Sequence, residues 1–192
     1  FMHVKTFLEH TVSKYDDDLT FIYINTAVIK GMEEVELAPN LKSVMEYINS
    51  VEEKLAATGL SPNDTVSMTI VITELVMNAF EHGCLAIDLE EKTRLITEGT
   101  YDERLENSKA PEGAFIKVRT NVESRGGSLV FCVEVSDNGK GFNFRKKRKM
   151  RKTMFGGNGI KMVTAAVDDL YFNEHGNKVR VYKTIKGERS WK

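Results

Sequence analysis

Glu74 and Asn78 stand four residues apart in Ile72-Thr73-Glu74-Leu75-Val76-Met77-Asn78, a stretch whose apolar residues recur at helical spacing. At about 100° per residue, Ser67, Glu74, Asn78 and Glu81 fall in one narrow stripe, while Met68, Ile72, Leu75, Val76, Ala79 and Phe80 cover the opposite face. Ile70 and Met77 flank the stripe, so the carboxylate and the amide are expected to be only partly solvated. An amide oxygen beside a carboxylate offers a hard ligand for Mg²⁺ and a group able to orient water or accept a proton. The same pairing is also an ordinary polar edge on an amphipathic core helix, and alone it decides nothing.

A second block, Asp137-Asn138-Gly139-Lys140-Gly141-Phe142, lies at the end of an expected strand. There a side chain can be aimed into a cleft, and glycines let a ligand approach the backbone. A third, Gly156-Gly157-Asn158-Gly159, opens a further helix, and amides at such a turn form an anion site. Between the two runs the most charged stretch of the chain, Arg145 to Lys152. It connects two elements, so its charges either hang over the crevice and attract polyphosphate or serve as a solvated loop.

The elements that must position these residues follow from local signals. A strand Glu34 to Leu37 leads to Asn40, a helix cap, after which Leu41, Val44, Met45, Ile48, Val51 and Leu55 keep helical spacing up to a stop at Gly59. Ser61 as cap and Pro62 in the first turn start the Glu74 helix, which is expected to end near Gly83. Asp88 to Lys109 is mixed in charge and reads as one or two short surface helices. Strands Ala114 to Val122 and Ser128 to Ser136 join through Arg125-Gly126-Gly127, with Leu129, Phe131, Val133 and Val135 facing a core. A helix from Ile160 to Val167 and strands Leu170 to Asn173 and Lys178 to Ile185 complete the pattern. This order favours an α+β fold, a two-layer α/β sandwich with a mixed, mostly antiparallel sheet and helices on one face.

Composition excludes several classes. At 192 residues and 41% hydrophobic content the chain has room for one well-buried domain and a smaller piece. A net charge of −1 gives no general attraction to nucleic acid or membrane. No apolar run approaches the roughly 20 residues that span a bilayer, and no signal-peptide pattern opens the chain, so a cytoplasmic setting is expected. Cys84 and Cys132 are far apart and read as reduced thiols; the four histidines are too scattered for a zinc site. Residues 1–30, with a short helix from Val4 to Lys14 and a strand from Thr20 to Ile24, look like the end of a preceding unit. A kinase-like domain is expected over 31–192.

Glu74-x-x-x-Asn78 with His82-Gly83, Asp137-x-Gly139-x-Gly141-Phe142 and Gly157-x-Gly159 resemble, in order and spacing, the N box and glycine boxes of the GHKL ATPase superfamily, which shares the Bergerat fold. The compact form resembles the anti-sigma-factor serine kinases of bacterial partner switching. Asp16-Asp17-Asp18-Leu19-Thr20 before an apolar strand resembles the closing motif of SpoIIE-like PPM phosphatases, where the position of Asp17 helps hold a metal; a generic acidic turn reads the same way. Without the other ligands of that motif, no phosphatase activity is expected.

The resemblance implies an ATP and Mg²⁺ cofactor pair and a role for each position. Asn78 would coordinate Mg²⁺ on the phosphates, and Glu74 would act as general base. Asp137 would accept a hydrogen bond from the adenine amino group, with His82 and Phe142 as further contacts. Gly139 and Gly141 would allow close approach, and Gly157 and Gly159 would present amides to phosphate. It also implies a STAS-type anti-sigma antagonist or a sigma factor as partner and pairing of two copies, with neither nucleic acid nor membrane. Two alternatives stay open: an ATP-binding interaction module without phosphotransfer, and a histidine kinase-type catalytic domain with His10 as the sole upstream acceptor. The charged insertion between Leu85 and Pro111 departs from the smallest members and puts the usual partner surface in doubt.

Overall fold

A computed structural model describes residues 32–125, 127–141 and 159–186. The expectations for residues 1–31, Asp17 and His10 among them, for Phe142, the Arg145 to Lys152 run and Gly157 lie outside the described residues.

The elements run β1 (Glu33–Leu37), α1 (Leu41–Ala56), α2 (Pro62–Asn78), a π-helical turn (Ala79–Cys84), α3 (Leu89–Glu98), α4 (Tyr101–Glu106), β2 (Ile116–Arg125), β3 (Ser128–Asp137), α5 (Gly159–Ala166), β4 (Asp169–Phe172) and β5 (Lys178–Lys186). Side-chain caps set the helix starts. Asn40 Oδ1 accepts from the Ser43 N–H at 2.9 Å, Ser61 Oγ from the Asp64 N–H at 3.1 Å, and Asp88 Oδ1 from the Glu91 N–H at 2.8 Å. Each satisfies a first-turn donor that the helix itself leaves open and stabilises it by about 1 kcal/mol. The insertion thus forms two short helices, as its composition suggested.

The strands make one sheet in the order β1-β2-β3-β5-β4. Among the described residues every pairing is antiparallel, in keeping with the mostly antiparallel sheet expected and with none of the parallel pairing that a mixed sheet would add. The β2–β3 hairpin closes with Arg125 opposite Ser128, leaving a two-residue connection. Val44 of α1, with Met68, Ile72, Leu75 and Phe80, packs in one cluster with Ile116, Val118, Phe131, Val133 and Val181 of the sheet. The alternating face read from β3 is therefore the core face, and Met68, Ile72, Leu75, Val76, Ala79 and Phe80 are all buried as their spacing requires.

The other sheet face holds a feature that alternation alone does not predict. Glu134 is buried, with Arg180 Nε at 2.8 Å and Nη2 at 2.5 Å on one oxygen and Arg119 Nη1 at 3.1 Å on the other. The register explains it, because Glu134 stands directly across from Arg119 on β2 and from Arg180 on β5. Arg119 continues the chain of charges outward to Glu34 on β1, and Lys178 lies 3.8 Å from Glu134.

Candidate functional site

Beyond Asn78 the helix changes pitch. Through Ala79–Cys84 it widens to a π-helix, with the Leu85 N–H donating to the Phe80 carbonyl five residues back at 2.9 Å. One added residue per turn rotates the side chains that follow. Glu81, which regular helical geometry groups with Ser67, Glu74 and Asn78, differs from them in its surroundings. It is buried, taking a hydrogen bond from Tyr101 Oη at 2.5 Å and one from Lys92 Nζ at 2.6 Å. Glu74 and Asn78, by contrast, keep partial exposure.

Two groups of residues form along this helix. In the first, Gly159 opens α5 directly over the Glu74 carboxylate. A β-carbon built on Gly159 would overlap Glu74 Oε2 and lie 3.9 Å from Asn78 Nδ2. Asn78 Nδ2 is itself buried with no hydrogen-bond partner among the described residues. A buried amide left open beside a helix N-terminus is a site prepared for a polar group.

In the second, the turn after β3 packs on the π-turn. A β-carbon on Gly83 would stand 2.5 Å from Asp137 Oδ1 and 2.8 Å from Oδ2, and one on Gly139 would come within 2.7 Å of Gly83 Cα. Only glycines let these backbones meet with a carboxylate between them. The Gly139 N–H donates to Asp137 Oδ1 at 2.8 Å. Burial pushes the Asp137 carboxyl up to about 6, and the Gly139 N–H pulls it down only in part. Gly141 has φ +66, and a side chain there would also overlap the His175 carbonyl.

The structure brings in residues that the motifs did not single out. Asn138 Oδ1 accepts from the Phe115 N–H at 3.0 Å and its Nδ2 donates to the Gly113 carbonyl at 2.8 Å, tying the turn to the residues before β2. From the other side Asn177 Nδ2 donates to the Gly139 carbonyl at 3.4 Å, and the Asn177 carbonyl accepts from the Asp137 N–H at 3.0 Å. Asparagines inside Gly-rich turns were the available signal, since their side chains commonly bond nearby backbone. His82 is placed one residue before Gly83, with its Nδ1 bonded to the Ile87 carbonyl. That nitrogen ties the π-turn to the segment after it. Cys84 and Cys132 are free thiols, both buried.

Glu74, Asn78 and Gly159 therefore converge at one end of the turn and Asp137, Gly139 and Gly83 at the other. The donor set fits a magnesium-bound nucleotide. Among the described residues no cluster of three or more His, Cys, Asp or Glu could hold a metal, but Mg²⁺ keeps waters and takes phosphate oxygens, so one amide oxygen from the protein is a sufficient anchor.

Among the described residues, no single helix is long and apolar enough to cross a membrane. No curated protein matches the chain. Among solved structures, it is similar to the crystal structure of the RsbU and RsbW domains of Rv1364c from Mycobacterium tuberculosis, with 16% identity and a TM-score of 0.43. That likeness covers 80% of this chain and 32% of that one. Residues 37–183 match the model of the histidine kinase-like ATPase domain. This span includes the whole of the helix from Glu74 to Gly83, the Asp137 turn and α5, and the chain belongs to the histidine kinase-like ATPase domain family, whose members are built to bind ATP.

Proposed function

We propose that this chain is a Mg-ATP-dependent protein serine kinase of the anti-sigma-factor type, acting on a STAS-type antagonist protein and able to hold a sigma factor in a cytoplasmic partner switch. The observation that carries the reading is the convergence of the Glu74 carboxylate, the open Asn78 amide and the first residue of α5 on one spot. One helical turn separates that spot from the glycine seat of Asp137.

Bound Mg-ATP would supply the phosphoryl group to be transferred. Asn78 would hold the cation through its side-chain oxygen, and Glu74 would take the proton from the attacking serine hydroxyl. Asp137 would select adenine by accepting from its amino group, while Gly139 and Gly141 keep the turn close. The α5 amides from Gly159 onward, together with Gly157, would cradle phosphate, and Phe142 would pack beside the nucleotide. His82 would act by holding the π-turn. Phosphoryl transfer asks mainly for positioning and charge neutralisation, which this short set can provide. Residues 1–30 would be the tail of a SpoIIE-like unit ahead of a kinase domain over 31–192.

The test is incubation with labelled ATP, Mg²⁺ and a STAS protein encoded beside this gene. Label should move to a serine of that protein, and Glu74→Gln should abolish transfer while ATP is still bound. Nucleotide-dependent partner binding with no label transfer would replace the kinase with an ATP-gated interaction module. Transfer that persists in Glu74→Gln would remove Glu74 as the base.

A further inference from the structure

The π-turn joins the two ends of the site, and its buried carboxylate is held by the insertion. Glu81 is 1% exposed. Its two oxygens go to two residues of the insertion, Lys92 on α3 and Tyr101 at the start of α4. Lys92 Nζ lies 5.3 Å from the centre of the Tyr101 ring, so the three side chains close on one another. Burial first, then the Glu81 carboxylate, push the Tyr101 phenol well above the usual range, and the charge of Glu74 adds to this. It stays protonated and donating.

A carboxylate removed from water is stable only while its partners stay in place. The backbone around Glu81 is drawn in as well. The Ile87 N–H donates to the Glu81 carbonyl at 2.9 Å, and His82 bonds the Ile87 carbonyl. Gly83, two residues beyond Glu81, carries the backbone on which Asp137 and Gly139 rest. The insertion is itself a unit, with Arg104 Nε 3.4 Å from Glu91 Oε1 and with Leu95 and Leu105 buried in the core.

We infer that Lys92 and Tyr101 are positioning residues for the nucleotide site: by clamping Glu81 they fix the π-turn and hence the seat of Asp137, so docking of the insertion and binding of the adenine end are one coupled equilibrium. The coupling is reciprocal, so nucleotide binding tightens the insertion as much as the insertion favours nucleotide. This inference rests on the nucleotide-binding reading above and adds the insertion to it.

The experiment uses the full chain with Tyr101→Phe and Lys92→Met, measuring amide hydrogen exchange without nucleotide and then titrating Mg-ATP. Exchange at residues 82–85 should quicken about tenfold in both variants while α1 is unchanged, and the dissociation constant for Mg-ATP should rise about tenfold at unchanged stoichiometry. Should Lys92→Met fail to fold, Glu81→Gln with Lys92→Met removes both charges, and Lys92→Arg should restore affinity. Exchange and affinity equal to the unmodified chain would overturn the inference, as would faster exchange spread evenly over every helix with affinity retained. If the unmodified chain takes up no ATP, the nucleotide reading fails, while local loosening at residues 82–85 still decides whether the clamp exists.

Discussion

The Asp137 carboxylate rests on the Cα of Gly83, a residue 54 positions earlier in the chain, with Oδ1 2.5 Å from where a β-carbon of Gly83 would stand. The end of a central strand and the turn after the main helix are thereby held in one contact. No side chain larger than hydrogen fits on the helix side.

Gly83→Ala should therefore force either the carboxylate or the π-turn to move. Overpacking of this kind costs about 1–3 kcal/mol, and for a domain of this size each kcal/mol lowers Tm by roughly 2–4 °C. Thermal unfolding should show that drop, and ATP should bind more weakly to the folded variant. An unchanged Tm would show that the contact is not made.

Asp137 gives stability a dependence on pH. Its folded value, raised to about 6 by burial, lies above the unfolded carboxylate value near 3.9. Between those values the folded state binds the extra proton, so stability falls as pH rises through about 6. Asp137→Asn keeps an acceptor for the Gly139 N–H but carries no charge to desolvate. It should melt at a higher temperature than the unmodified chain at pH 8 and at about the same temperature near pH 4. A constant gap across that range would rule out Asp137 as its source.

The Glu134–Arg180 pair should behave as a buried ion pair. Glu134→Leu leaves the Arg180 guanidinium, itself 7% exposed, without its main partner. Losing one member of such a pair costs roughly 3–5 kcal/mol. Adding Arg180→Met should recover most of the loss, because an apolar pair of similar volume needs no charge partner. Urea unfolding of the single and double variants measures both steps. Equal stability of the single variant and the unmodified chain would show the pair to be solvated.

Much of this was legible in the sequence because the signals were local. Asn40, Ser61 and Pro62 mark helix starts within a few residues, and the spacing of Met68, Ile72 and Leu75 states which side of α2 is buried. Asp137 at a strand end and Gly159 at a helix start needed only their neighbours. The π-turn was not legible, since nothing in Ala79-Phe80-Glu81-His82-Gly83-Cys84 distinguishes a bond to the fifth residue back from one to the fourth. Glu81, which regular spacing groups with the partly exposed Glu74 and Asn78, is instead fully buried. Glu134 alternates with the core-facing Phe131, Val133 and Val135, and alternation alone does not say that it is buried; that depends on Arg119 and Arg180, which the sheet register delivers from 15 and 46 residues away. The seating of Asp137 on Gly83 is likewise a tertiary fact, although the presence of both residues was plain.

Titration calorimetry of the folded chain with ATP and with GTP, each in the presence of Mg²⁺, examines the pocket most directly. One ATP should bind per chain, more weakly when Mg²⁺ is removed, at least tenfold more weakly in Asp137→Asn, and with GTP far behind because its base lacks the amino group that Asp137 would accept from. Well-folded protein that takes up no ATP, or that takes up GTP equally well, would show that Glu74, Asn78 and Asp137 do not form an adenine nucleotide site.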